Sequence, residues 1–107
     1  NKSYKVGNLH MMEESIMATW FGNKIELTKR EFKLLKQLAR RPRVVYSRDQ
    51  LIDVCYGNEC YITDRNIDSH IKRLRKKFRK ANPKIKFDRI KTHYGTGYAW
   101  TPKSITV

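Results

Sequence analysis

Seven of the nine residues from Lys72 to Lys80 are Lys or Arg, and ahead of them stand Arg65, Asn66, Ser69 and His70. Guanidinium and ammonium groups grip phosphate, while Asn, Ser, His and Arg offer the donors and acceptors that suit base edges. Placed at 100° per residue, Ile67, Ile71, Leu74 and Phe78 form one narrow apolar stripe that has to face a core. The opposite side carries Arg65, Ser69, Lys72, Arg73 and Lys76, with Asn66 and His70 on one edge and Asp68 and Arg75 on the other. A solvated basic helix would carry Glu one turn ahead of its cations to balance them, and most of these cations have none. A helix roughly 10–12 Å across fits the major groove of duplex DNA.

The composition agrees. Lys and Arg total 24 against 10 Asp and Glu, a net charge of +14 in 107 residues. An excess of this size repels itself and suits a polyanionic partner, here expected to be double-stranded DNA. The length suffices for one domain with a modest core. No apolar run is long enough for a transmembrane helix, so no membrane partner is expected. There is no secretory leader pattern either, and a cytoplasmic location is expected. Asn1 stands where an initiator Met would, which leads us to expect a piece of a longer protein. Cys55 and Cys60 lack the two further ligands of a zinc site and read as reduced side chains, so no metal or cofactor is expected. His70 and His93 have no nucleophile or paired carboxylate beside them, and Asp64 and Asp68 read as neutralised by Arg65 and Lys72. No enzyme is expected.

The elements that would position the basic helix follow from patterning. Residues 1–27 read as a small antiparallel sheet. Val6 and Leu9 belong to a first short strand, Ile16, Ala18 and Trp20 alternate in the next, and Ile25 and Leu27 follow a turn at Gly22-Asn23. Thr28 and Glu31 form a capping box that opens a first helix. Its stripe is Phe32, Leu35 and Ala39 with Leu34 and Leu38 beside it. Lys29, Lys33, Lys36 and Arg40 face away, and Pro42 ends it. Val44 to Tyr46 make an extended link. A second box, Ser47 with Gln50, opens a short helix that Gly57-Asn58 break. The third helix is expected from a cap at Thr63 or Asp64 to about Lys80, ended by Asn82-Pro83. Phe87, Ile90, a Gly95-Thr96-Gly97 tip, Tyr98 and Trp100 then make a β-hairpin over 84–101. The expected fold is α+β: a single winged helix-turn-helix domain with an N-terminal antiparallel sheet (1–27), three helices (28–80) and a C-terminal hairpin wing (84–101).

Several of these runs stand together in one known order. Leu27, Thr28, Glu31, Phe32, Leu34 and Leu35, the stretch 45–51, the stretch 63–77 and Gly95-Thr96-Gly97-Tyr98 follow one another at the same spacing as in effector domains of OmpR/PhoB-family response regulators. The chain resembles that family over nearly its whole length. The resemblance implies a four-stranded N-terminal sheet and a phosphorylatable receiver domain ahead of the effector, absent from this chain. It also implies head-to-tail pairing on direct repeats, and contact with RNA polymerase through the loop between the second and third helices, here Tyr56 to Ile62. The third helix, about 63–80, would enter the major groove and the wing, about 91–97, would lie near the minor groove. By position, Arg73 would read bases. Arg65, Asn66, Ser69, His70, Lys72 and Arg75 would meet phosphates or the groove wall, with Lys76 in the same basic block. Tyr56 stands where many members carry a phosphate-touching Trp, and it could equally cap the core. The wing departs from the pattern: many members place Arg immediately before the Gly-x-Gly, whereas here Tyr94 holds that position, after Thr92 and His93. Tyr lacks the charge that a narrow minor groove attracts, which leaves Lys91 or His93 as substitutes.

The alternative is a structural RNA-binding protein of ribosomal type. It would share the charge and size, but would more often show a long basic tail or a sheet surface of stacking aromatics.

Overall fold

Two-residue turns decide how the N-terminal segment folds. The computed structural model describes residues 3–57 and 66–102. Four short strands, β1 (Ser3–Val6), β2 (Leu9–Met12), β3 (Met17–Trp20) and β4 (Asn23–Glu26), form an antiparallel meander in sequence order. Val6 and Leu9 do not share a strand as expected. Gly7-Asn8 turns the chain between them, so that they face each other as a cross-strand pair on the inner side. Ile16 is likewise outside the strands: it closes the β2–β3 turn with φ 50° and is exposed. The β3–β4 turn is Phe21-Gly22, both at positive φ, rather than Gly22-Asn23. That backbone twist matches the twist of the strands it joins, so Asn23 already belongs to β4, and Leu27 lies beyond the strand's end.

The three helices are α1 (Lys29–Ala39), α2 (Arg48–Tyr56) and α3 (Ile67–Ala81). Both capping boxes form, Thr28 with Glu31 and Ser47 with Gln50. The start of α3 differs from expectation. Asn66 is its N-cap, with extended backbone (φ −88°, ψ 97°) and a side-chain oxygen that accepts from the Ser69 amide. A residue so held cannot continue a helix from Thr63 or Asp64, which lie outside the described residues. At the other end, Asn23 Nδ2 donates to the Ala81 carbonyl at 2.8 Å and Asn82 Nδ2 to the Trp20 carbonyl at 2.6 Å. The last turn of α3 is thereby tied to the sheet.

The hairpin strands are β5 (Ile90–His93) and β6 (Gly97–Trp100), later in the chain than the expected start at residue 84. Phe87 reaches the core from the segment before β5, stacked on Phe78 at 4.1 Å, with Trp20 and Trp100 edge-on around the pair. Leu9, Leu34, Leu35, Leu38, Leu51 and Leu74 are wholly buried in the same core. The link before α2 also joins the hairpin: Tyr46 and Tyr98 exchange both backbone hydrogen bonds, at 2.8 and 2.9 Å.

Candidate nucleic-acid interface

The apolar stripe of α3 fixes which of its residues can meet a ligand. Ile67, Ile71, Leu74 and Phe78 are each at most 2% exposed. Lys72, Arg73 and Lys76 are exposed on the far side, with Ser69 partly exposed beside them. Among the described residues no carboxylate pairs with any of these three cations. A cationic face without internal partners is available to an external anion.

The two edges of α3 are occupied by protein. On one edge Lys77 pairs with Glu31, the buried carboxylate of the α1 capping box. Burial by itself would raise the Glu31 pKa. The Lys77 ammonium and the Thr28 amide outweigh it and hold the carboxyl below its ordinary value. On the same edge His70 Nε2 shares a 2.7 Å hydrogen bond with the Tyr56 hydroxyl. Tyr56 itself is 5% exposed, with the Arg30 guanidinium 4.7 Å above its ring. The structure therefore places Tyr56 in the core, against His70, rather than on the surface.

The other edge carries the wing. Asp68 accepts from the Tyr98 hydroxyl and from Arg48 Nε, the latter at 2.8 Å. The Tyr98 hydroxyl, with Arg48 behind it, holds the Asp68 carboxyl below its ordinary value. The sequence reading paired Asp68 with Lys72, but Lys72 points outward, and the partner comes from the first turn of α2 instead. Arg75 Nη2 donates to the Ile90 carbonyl at 2.9 Å and to Thr92 Oγ1 at 2.8 Å, while its guanidinium lies over the Tyr98 ring. Arg75 and Thr92 are thus placed as a strut between α3 and β5.

Beyond the strut, His93 is partly exposed at the end of β5, and Tyr94 at the tip is 92% exposed. Arg65 lies outside the described residues. Asn66 stands exposed, with its side-chain oxygen engaged in the cap. In sum, Ser69, Lys72, Arg73 and Lys76 share one outward face. Thr92, His93 and Tyr94 form the wing beside it, Tyr56 and Arg75 face protein, and His70 is partly exposed at the edge while bonded to Tyr56.

Comparison with known proteins decides the family. The family described as "Transcriptional regulatory protein, C terminal" matches residues 22–100. The chain belongs to this family. It is the DNA-binding output domain of an OmpR/PhoB-type response regulator. It is 43% identical over 88 residues to the transcriptional regulatory protein BaeR of Escherichia coli, covering 82% of this chain and 36% of BaeR. With CreB of the same species it shares 39% over 95 residues, covering 89% of this chain and 41% of CreB. The output domain thus spans well under half the length of these curated relatives. Its fold matches the crystal structure of the DNA-binding domain of E. coli CpxR with TM-score 0.77 at 31% identity, over 97% of this chain and all of that one. The RstA DNA-binding domain of Klebsiella pneumoniae, solved in complex with the RstA box, matches with TM-score 0.76 at 28% identity over 95% of this chain and 99% of that one. These comparisons give the ribosomal-type RNA-binding alternative no support.

Two features of the OmpR/PhoB-type domain escaped the sequence reading. Arg48, an α2 N-terminal cation, locks Asp68, and the cations of the first turns of α1 stand beside α3. The N-caps show where α1 and α2 begin, but no local signal says which helix each start will touch. The strut makes a checkable difference. Arg75→Ala is expected to lower stability by roughly 1.5–3 kcal/mol, the range for hydrogen bonds from a charged donor, with the salt dependence of DNA binding unchanged. Native stability together with a salt slope reduced by one would instead make Arg75 a phosphate contact.

Proposed function

We propose that this output domain binds a specific duplex sequence by laying α3 in the major groove, with the wing near the minor groove. The observation that carries this is the outward face of α3, where Lys72, Arg73 and Lys76 stand exposed beside Ser69 with no carboxylate partner among the described residues. In this reading Arg73 forks onto guanine O6 and N7, while Lys72 and Lys76 meet phosphates. Asn66 Nδ2 remains available for the groove wall, and Arg65 would extend the contact ahead of the cap. His70 contributes through its contact with Tyr56, and Tyr56 acts from within the core. At the wing, His93 and Tyr94 approach the backbone without the arginine charge that many relatives bring. Pairing on direct repeats, a receiver domain ahead of this chain, contact with RNA polymerase through the 56–62 loop and a cytoplasmic site of action complete the proposal. Residues 58–62 of that loop lie outside the described residues. Among the described residues no helix is long and apolar enough to cross a membrane.

The test separates reading from gripping. Duplexes are selected from a random pool by the native domain, and binding to these and to mixed-sequence DNA is measured between about 50 and 200 mM salt. Arg73→Ala is expected to remove roughly 1–3 kcal/mol of discrimination between the two pools. Lys72→Ala should weaken both equally and lower the salt slope by about one. Equal losses on both pools for Arg73→Ala would assign Arg73 to phosphate. Equal affinity of the native domain for duplex RNA would overturn the function itself.

A further inference from the structure

The cationic surface does not end at α3. Beside Arg73 a cleft of about 390 Å³ opens between α3 and the start of α1, and Lys29, Arg30, Lys33 and His70 line it together with Arg73. Among the described residues no carboxylate lines it. The nearest acid in sequence, Glu31, is buried and turned to Lys77. Cys55 lies at its floor, and burial pushes that thiol up to about 11, so it adds no negative charge near neutrality. The positive end of the α1 dipole adds to the same field. Lys29 and Lys33 are exposed, facing away from the apolar stripe of α1 as their spacing predicts.

We infer that this cleft is a second phosphate-binding wall, taking the DNA backbone on the side of the major groove away from the wing. The inference rests on α3 being the helix that enters the groove. A helix in a groove about 12 Å wide has a phosphate wall on each side. The wing edge of α3 faces one wall. Arg73 leans from the centre of the outward face toward the other edge, where α1 begins, so the cleft is continuous with the proposed base-reading face through a shared residue. A sugar-phosphate strand following that wall would pass Arg73 and then Lys33 and Lys29. Arg30, held over Tyr56, would supply fixed positive charge behind them.

The experiment is a salt titration of the double variant Lys29→Gln/Lys33→Gln against the selected duplexes and the mixed-sequence duplex, beside the native domain and Lys72→Ala. Because both side chains are exposed, the melting temperature is expected to stay within 1–2 °C or so of native. The log–log salt slope should fall by about two, twice the change in Lys72→Ala, on both kinds of duplex. Lys29→Arg/Lys33→Arg should restore it. A native slope in the double variant overturns the inference. So does a variant that loses binding to polyglutamate but keeps its native slope on DNA, since the cleft then serves an acidic protein surface. If the native domain itself shows no salt-dependent duplex binding, it is the reading of α3 that fails, and the two failures are told apart by that control.

Discussion

Gly97→Ala is expected to lower the thermal midpoint by roughly 10 °C or more. Gly97 opens β6 at φ +156°, and a Cβ there would stand 1.9 Å from the Tyr46 carbonyl oxygen and 2.7 Å from its carbon. The obstacle is backbone, and that same carbonyl accepts the Tyr98 amide at 2.9 Å. Relief therefore requires breaking the bridge that joins the hairpin to the link before α2. Unfavourable backbone conformation costs about 1–3 kcal/mol and overpacking about 1–3 more, together a large part of the stability of a domain this size. Gly95→Ala is the matched control. Gly95 also has positive φ, +79°, but nothing lies within 4 Å of an added Cβ, so only the conformational cost applies. A midpoint for Gly97→Ala equal to that of Gly95→Ala would mean that the close approach of β6 to Tyr46 is wrong.

The second large effect lies in α3. Leu74→Ala should cost about 2–5 kcal/mol, read as a shift in the denaturant midpoint. Leu74 is wholly buried at the middle of the apolar stripe, between Ile71 and Phe78. Lys76→Ala, two residues on and exposed, should stay within about 0.5 kcal/mol. The pair tests the rotation of the helix, because the residues that pack inward determine which residues face out. If Lys76→Ala destabilised as much as Leu74→Ala, the outward face of Lys72, Arg73 and Lys76 would have to be reassigned.

How far the sequence could be read depended on whether a signal was local. The stripe of α3 and both capping boxes are set by spacing within one helix, and each was legible from residue types alone. The cap of α3 was ambiguous because Thr63, Asp64 and Asn66 are all good cap residues within four positions, and the choice between them is made by the fold. Val6 and Leu9 show the same limit at a turn. Two apolar residues three apart fit one strand, or two strands folded at Gly7-Asn8, and only pairing with β3 selects the second. Roles at the interface were harder still. Lys72 and Arg75 are cations one turn apart on the same helix, yet one is exposed and the other is held by Ile90 and Thr92 from a distant hairpin. Tyr56 could be read either way until its hydroxyl met His70.

The hydrogen bond from the Tyr98 hydroxyl to Asp68 and the Arg75 strut also have a consequence for recognition. Together they fasten the hairpin to α3 at both of its strands, so the helix and the wing tip form a rigid caliper with a set gap. In the proposed docking mode, a duplex gripped by both arms has to bring a major groove and the adjoining minor groove to that gap. Sequences whose groove widths already match engage undistorted, while others pay for bending or twisting at base steps that no side chain touches. Loosening the caliper through Arg75 should therefore broaden the range of tolerated spacer sequences even where every base-contacting residue is intact.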